Sequence, residues 1–206
     1  LKHVFFKQIR HLGDNFSYIV ADTASKKAAI VDPSFNADTI VRACNDQGLA
    51  VEYVIDTHGH RDHTAGNEAV KSYYNAKIVA HRLSPVKKDL GVVNGDTIRI
   101  GSLTINVIYT PGHTQDSICL LVDGKLLTGD TLFVGECGRT DMPGGNPEGM
   151  YHSLLDKLAK LDDNIEVFPG HDYGQAPHST IGKEKKTNYT LQKRTLKEFL
   201  EFMSQP

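Results

Sequence analysis

Apolar residues open the chain in three short blocks, Val4 to Ile9, Phe16 to Ala21 and Ala28 to Val31. The groups Gly13-Asp14-Asn15 and Ser25-Lys26-Lys27 separate them. Short runs rich in Val, Ile, Phe and Tyr, bounded by turn-forming residues, read as strands, here an antiparallel meander of three. After Asp32-Pro33 the period changes. Ala37, Ile40, Val41 and Cys44 recur at the i, i+3, i+4, i+7 spacing of one helix face, and Gly48 supplies a stop. A strand from Val51 to Ile55, a helix from Thr64 to Tyr74 and a strand from Ile78 to Ala80 complete the first half.

The second half repeats the theme. Strands are expected at Thr97 to Ile100, Leu103 to Tyr109, Ile118 to Val122 and Leu126 to Thr128. Turns at Gly101-Ser102, Pro111-Gly112 and Asp123-Gly124 lie between them. A helix over about Pro147 to Leu161 puts Met150, Leu154, Leu158 and Leu161 on one face. A strand, Ile165 to Phe168, precedes a C-terminal helix striped by Leu191, Leu196, Phe199, Leu200 and Met203. Strand runs punctuated by helices, occurring twice, predict an α/β chain with two sheets face to face and helices outside. No linker divides the halves, so residues 1–206 are read as a single domain. The longest irregular stretch is Gly135 to Gly149, and long loops in compact domains tend to carry function.

Composition narrows function more than fold. The chain is 39% hydrophobic and 23% charged, which is globular, with ample material for a core. Its net charge of −2, without any block of like charge, offers no footprint for nucleic acid or an anionic membrane. Three widely spaced cysteines make neither a disulfide framework nor a cysteine zinc site, and favour a reducing, cytoplasmic setting. No run approaches the ~18 apolar residues of a membrane helix. The chain starts at Leu1, which is compatible with a removed leader. The ten histidines stand out.

Four potential metal ligands fall within His58-Gly59-His60-Arg61-Asp62-His63, at the exit of a strand. Residues two apart in extended backbone point the same way, so His58 and His60 can converge on one metal. A turn through Arg61 swings Asp62 and His63 toward a second point, and Gly59 lets the backbone crowd the site. Imidazole and carboxylate donors without thiolate suit Zn, Fe or Mn. Asp56 is a candidate acceptor for a ligand imidazole N–H. His113, Asp130 and His171 each follow a predicted strand across a glycine, so all three can meet the first cluster on one rim. In the same region Arg139 is a candidate for binding a substrate carboxylate. Tyr173 is a candidate hydrogen-bond donor near the metals.

THxHxDH, a lone His, Gly-Asp and a late Pro-Gly-His, in that order, resemble the metallo-β-lactamase superfamily. The resemblance implies an αβ/βα four-layer sandwich of two mixed sheets with metals at one edge. It implies that His58, His60 and His113 hold one ion, that Asp62, His63 and His171 hold a second, and that Asp130 bridges. Two divalent ions, zinc first with iron or manganese as options, would generate a hydroxide and polarise the carbonyl it attacks, with Asp62 orienting it.

Thr128-Gly129-Asp130-Thr131-Leu132-Phe133, Pro169-Gly170-His171 and Tyr151-His152-Ser153-Leu154 are similar to the hydroxyacylglutathione hydrolase (glyoxalase II) branch. That likeness implies a thioester- or ester-cleaving hydrolase acting on a small molecule such as a glutathione or other thiol conjugate. Cys137-Gly138-Arg139-Thr140-Asp141, His171-Asp172-Tyr173 and Ser179-Thr180 resemble instead the persulfide dioxygenases. Those enzymes carry a single Fe(II), here implied on His58, His113 and Asp130, and act on glutathione persulfide. A non-catalytic metal-binding scaffold is the remaining alternative.

Overall fold

The computed structural model describes residues 4–205. Strands β1 (Val4–Arg10), β2 (Phe16–Asp22) and β3 (Lys27–Val31) form the expected meander. Helix α1 (Ala37–Asp46) crosses to β4 (Ala50–Ile55). Next come α2 (Arg61–Thr64), α3 (Asn67–Tyr74), β5 (Lys77–His81) and β6 (Leu90–Val92). These strands make one mixed sheet in the order β1-β2-β3-β4-β5-β6, antiparallel up to β3 and parallel beyond it.

The second sheet contains β7 (Thr97–Ile100), β8 (Leu103–Tyr109), β9 (Ile118–Val122) and β10 (Lys125–Gly129). A small hairpin of β11 (Leu132–Phe133) and β12 (Glu136–Cys137) and the helix α4 (Pro147–Tyr151) come before β13 (Glu166–Pro169) and β14 (Ser179–Thr180). Its order is β14-β13-β10-β9-β8-β7, with β10 and β13 parallel and the other pairs antiparallel. Helices α5 (Ile181–Thr187) and α6 (Leu196–Met203) close the chain.

Side-chain alternation explains the layers. All seven residues of β2 are buried because both faces of the strand are covered. Tyr18 and Val20 point between the sheets, where they join Val31, Ile105, Leu120 and Leu127. Ile19 and Ala21 point outward and pack with Ile40 and Cys44 of α1 and Val70 of α3. In β9, Ile118 and Leu120 face the inner core, whereas Cys119 faces the outer layer of Met150, Leu154 and Phe199. Each fully buried Ile or Leu here contributes about 1.5–3 kcal/mol of transfer free energy.

Three predicted helices are revised. The expected helix from Thr64 to Tyr74 is instead α2 and α3, separated at Gly66. The Ser34 N–H takes the His63 carbonyl at 2.9 Å, the acceptor a continuous helix would offer to Asn67. A side chain on Gly66 would lie 2.7 Å from the Ser34 carbonyl oxygen, so the loop after β3 wedges into the junction. The expected helix from Pro147 widens after α4 into a π-helical stretch, His152–Lys157, and ends in a 3-10 turn, Leu158–Lys160. Of its apolar stripe, Met150, Leu154 and Leu158 are fully buried as expected, whereas Leu161 is only half-buried against the same layer. Leu191 lies in a separate 3-10 turn, Tyr189–Leu191, and α6 begins only at Leu196 behind a Thr195–Glu198 capping box.

The ends of β3, β4, β8, β10 and β13 come together at one edge of the sandwich. The two sheets are stitched there by backbone bonds from Phe16 to Gly170 (2.8 Å) and from Ile118 to Thr57 (2.9 Å).

Candidate metal centre

The loop after β4 carries His58 in irregular backbone, passes through His60 as N-cap of α2, and places Asp62 and His63 in that helix's single turn. This is the turn through Arg61 that the sequence suggests. Gly59 is needed between the two histidines: a Cβ there would sit 2.9 Å from Pro85 and 3.2 Å from the Asp116 carboxylate. His113 follows β8, Asp130 follows β10 and His171 follows β13, so donors separated by more than 100 residues share one volume. Gly170 admits them: a Cβ on it would lie 2.4 Å from Asp130 Oδ1 and 2.9 Å from the His63 ring.

Among the described residues three donor groups form, each with its atoms within 4.8 Å of one another: His58/His60/His113, His58/His63/Asp130 and Asp62/His63/His171. In the first, His60 Nδ1 is 3.0 Å from His58 Nε2 and 3.1 Å from His113 Nε2. In the last, His63 Nε2 is 3.2 Å from His171 Nε2, and Asp62 Oδ2 is 3.4 and 3.3 Å from the two. Asp130 lies between the groups. Its Oδ2 is 3.4 Å from His113 Nε2, 3.9 Å from His58 Nε2 and 3.3 Å from His171 Nε2, and its Oδ1 is 3.3 Å from His63 Nε2.

Hydrogen bonds from behind fix which nitrogen faces inward in His58, His63, His113 and His171. His63 Nδ1–H donates to Asp32 (2.9 Å), His171 Nδ1–H to Asp14 (2.9 Å) and His113 Nδ1–H to the Arg139 carbonyl (2.8 Å). Thr57 spends its hydroxyl proton on Asp32 at 2.6 Å, which leaves its oxygen to accept from His58 Nδ1–H at 3.2 Å. Each Nε2 therefore turns a lone pair on its neighbours at about the closest approach allowed. The Nε2 lone pairs of neutral His63 and His171, 3.2 Å apart, repel unless a cation or a proton lies between them.

Donors 2.0–2.1 Å from a tetrahedral zinc ion stand about 3.3–3.4 Å apart, which is the spacing in the Asp62/His63/His171 group. Among the described residues the buried Asp130 Oδ1 has no hydrogen-bond donor of its own, as expected of an atom facing an ion. The donor set thus fits metal ions.

The electrostatics agree. Burial pushes His58 well below the ordinary imidazole range. At His63 burial opposes charge, but Asp130 and Asp32 outweigh it and hold the ring well above that range. His171, also opposed by burial, is raised to about 10 by Asp130 and Asp62. The Asp130 carboxyl is held far down despite burial, chiefly by His63 and by a hydrogen bond with His171. The second donor group therefore demands positive charge.

Asp56 does not take the part expected of it. It continues the alternation of β4 on the face of Val54, points at α3, and accepts from Asn67 at 2.7 Å instead of from an imidazole. Asp32 holds that position. It sits at φ +48, accepts from Thr57 N (2.8 Å) and supports both His58 and His63. Asp14 and Asn15, which look in the sequence like mere turn residues, are also builders of the site: Asn15 donates to Asp62 Oδ2 at 3.0 Å. Only the pairing of Asp14-Asn15 and of Asp32-Pro33 with strand ends hinted at this. Arg139 reaches the site through its carbonyl. Its guanidinium is exposed and bound by both arms to Asp141 (2.7 and 2.8 Å), so a substrate carboxylate would compete with that residue. Tyr173 stacks flat on His171, with ring centroids 4.7 Å apart and planes 3° from parallel. Cys119 and Cys137 are buried in the outer apolar layer and contribute no donor.

The profile of the metallo-beta-lactamase superfamily matches residues 12–88 and 83–171. The chain belongs to this superfamily, whose characterised members among its relatives are enzymes. It is 36% identical over 172 residues to a hydroxyacylglutathione hydrolase of Anaeromyxobacter dehalogenans, covering 82% of this chain but only 66% of that protein's length. It is 31% identical over 192 residues to the mitochondrial persulfide dioxygenase ETHE1 of Mus musculus, covering 91% of this chain and 75% of that one. The crystal structure of ETHE1 from Myxococcus xanthus matches it with a TM-score of 0.93 at 32% identity, covering 98% and 92% of the two chains. No helix among the described residues is long and apolar enough to cross a membrane.

Proposed function

We propose that the chain is a dinuclear metallohydrolase that cleaves a thioester or ester of a small molecule, with a glutathione or other thiol conjugate as the substrate class. One observation carries this reading. The Asp62/His63/His171 group, closed by Asp130, is a complete second donor set spaced 3.2–3.4 Å. His58, His60 and His113 would hold the first ion, Asp62, His63 and His171 the second, and Asp130 both. Such a pair of ions, zinc before iron or manganese, supplies a hydroxide at neutral pH and polarises a carbonyl.

The remaining steps belong to the chain. Asp62, 36% exposed at the mouth and steadied by Asn15, is placed to accept a proton from the attacking group and to orient it. Tyr173 keeps its phenolic proton at neutral pH, since partial burial and the carboxylates of Asp14, Asp130 and Asp62 push it up to about 12. It can donate that hydrogen bond to the substrate. Arg139 would bind a carboxylate on the leaving arm after exchanging it for Asp141.

A second reading is a mononuclear iron persulfide dioxygenase, with Fe(II) on His58, His113 and Asp130. It is favoured by the near-complete structural overlap with the Myxococcus xanthus ETHE1. Metal analysis of the purified protein, paired with thioester hydrolysis and with O₂ uptake on glutathione persulfide, separates the two. Two equivalents of zinc, hydrolysis abolished by chelator and restored by Zn²⁺, and no O₂ uptake are expected. One tightly held iron with persulfide-dependent O₂ uptake would overturn the hydrolase.

A further inference from the structure

Helix α5 supplies no donor to the metal centre, yet two of its neighbourhood's most buried polar groups face the β11–β12 hairpin that leads to it. Glu184 is 1% exposed and Asn188, just past the helix, is fully buried. Glu184 Oε2 accepts from Gly135 N at 2.8 Å and from Asn188 Nδ2 at 2.9 Å. Asn188 Nδ2, whose two protons are shared among three acceptors, also reaches the carbonyls of Phe133 (3.3 Å) and Glu136 (3.1 Å). The pair thus grips the tip of the β11–β12 hairpin at three backbone atoms.

That hairpin needs holding. Its strands are two residues each, joined through Gly135 at φ +83, and so short a hairpin is marginal alone. The backbone just beyond β12 is tightly placed: a Cβ on Gly138 would stand 1.8 Å from the Asp130 carbonyl and 3.2 Å from His113 Cβ. The next residue, Arg139, accepts the His113 Nδ1–H at 2.8 Å. Burying a carboxylate is costly, and the packing at Glu184 alone would be met by an apolar side chain of similar size. A carboxylate kept there points to what it holds.

We infer that Glu184 and Asn188 are positioning residues for His113: through the β11–β12 hairpin they set the Arg139 carbonyl, which fixes the imidazole that completes the His58/His60/His113 group. The inference rests on the metal-centre reading and adds to it a support that begins some 70 residues along the chain from His113. Glu184→Gln keeps one oxygen for Gly135 and Asn188, Glu184→Ala removes it, and Asn188→Ala removes the bonds to Phe133 and Glu136.

The test uses Co(II) as the probe, titrated against a chromophoric chelator, with the fold of each metal-free variant followed by circular dichroism. One of the two Co(II) equivalents is expected to weaken by roughly 10–100-fold in the alanine variants, the usual effect of removing a support behind a ligand. Glu184→Gln is expected to retain wild-type affinity at both. In the metal-free protein, NMR is expected to find a slowly exchanging His113 Nδ1 proton in wild type and Glu184→Gln that is lost in the alanine variants. Folded alanine variants with wild-type Co(II) affinity at both sites, or with that proton still protected, would overturn the inference. Should Asn188→Ala not fold, Glu184→Ala, which leaves the Asn188 bonds to Phe133 and Glu136, carries the same test. A wild-type protein that takes up no Co(II) would overturn the metal-centre reading itself.

Discussion

Asp32 concentrates more of the metal centre than any other single side chain that is not itself a donor. Its two oxygens take Thr57 N, Thr57 Oγ1 and His63 Nδ1, and through Thr57 it also fixes His58. It does so at φ +48, a left-handed conformation uncommon outside glycine and kept where the surroundings over-determine it. Asp32→Asn keeps the shape but removes the charge and turns one acceptor into a donor that meets either the Thr57 N–H or the His63 N–H. Metal affinity is expected to fall roughly 10–100-fold, read by chelator competition, with the circular dichroism spectrum unchanged. Unaltered affinity would mean that the imidazoles are oriented by the backbone alone.

Among the elements, the last helix shows how the outer layer holds the second sheet. Phe199 is fully buried against Met150, Leu154 and Leu158, and its ring lies 5.6 Å from that of Tyr151. The capping box of Thr195 and Glu198 starts the helix so that this one side chain points inward. Phe199→Ala removes the largest fully buried side chain of the described residues and is expected to cost about 3–5 kcal/mol, measured by urea denaturation. A loss below about 1 kcal/mol would show that α6 is peripheral to the fold. Phe199 is neither a metal donor nor a hydrogen-bond partner of one, so the loss is expected first in stability.

For the molecule as a whole, the two sheets are joined by polar ties as well as by the apolar core between them. Asp22, at the end of β2, accepts from Ser102 N (2.8 Å) in the β7–β8 turn, from Ser25 Oγ (2.9 Å) and from Ala24 N (3.1 Å). The Ser102 bond foremost holds its carboxyl down, from an ordinary 3.8 to about 2. A depressed carboxyl favours the folded state when ionised. Its contribution is therefore complete above about pH 4 and is lost as pH falls through 2. Asp22→Asn should destabilise the protein at pH 7 in denaturant titrations, and the gap from wild type should close near pH 2. A gap independent of pH would assign the effect to shape and not to charge.

Legible along the chain were the alternating strands, both buried helix faces, the cluster from His58 to His63 and the strand-end positions of His113, Asp130 and His171. Each of those signals is local: a period of two or of 3.6, or several donors within six residues. The atoms that stand behind the donors are set only when distant elements meet. His171 is held by Asp14, 157 residues away, His63 by Asp32 at 31, and His113 by a carbonyl at 26. The wedge of Ser34 that splits α2 from α3 and the outward turn of Asp56 toward Asn67 have the same origin. Periodicity encodes which face a side chain takes within its own element. The partner that meets it there comes from another element, and only the closing of the two sheets brings them within hydrogen-bond distance.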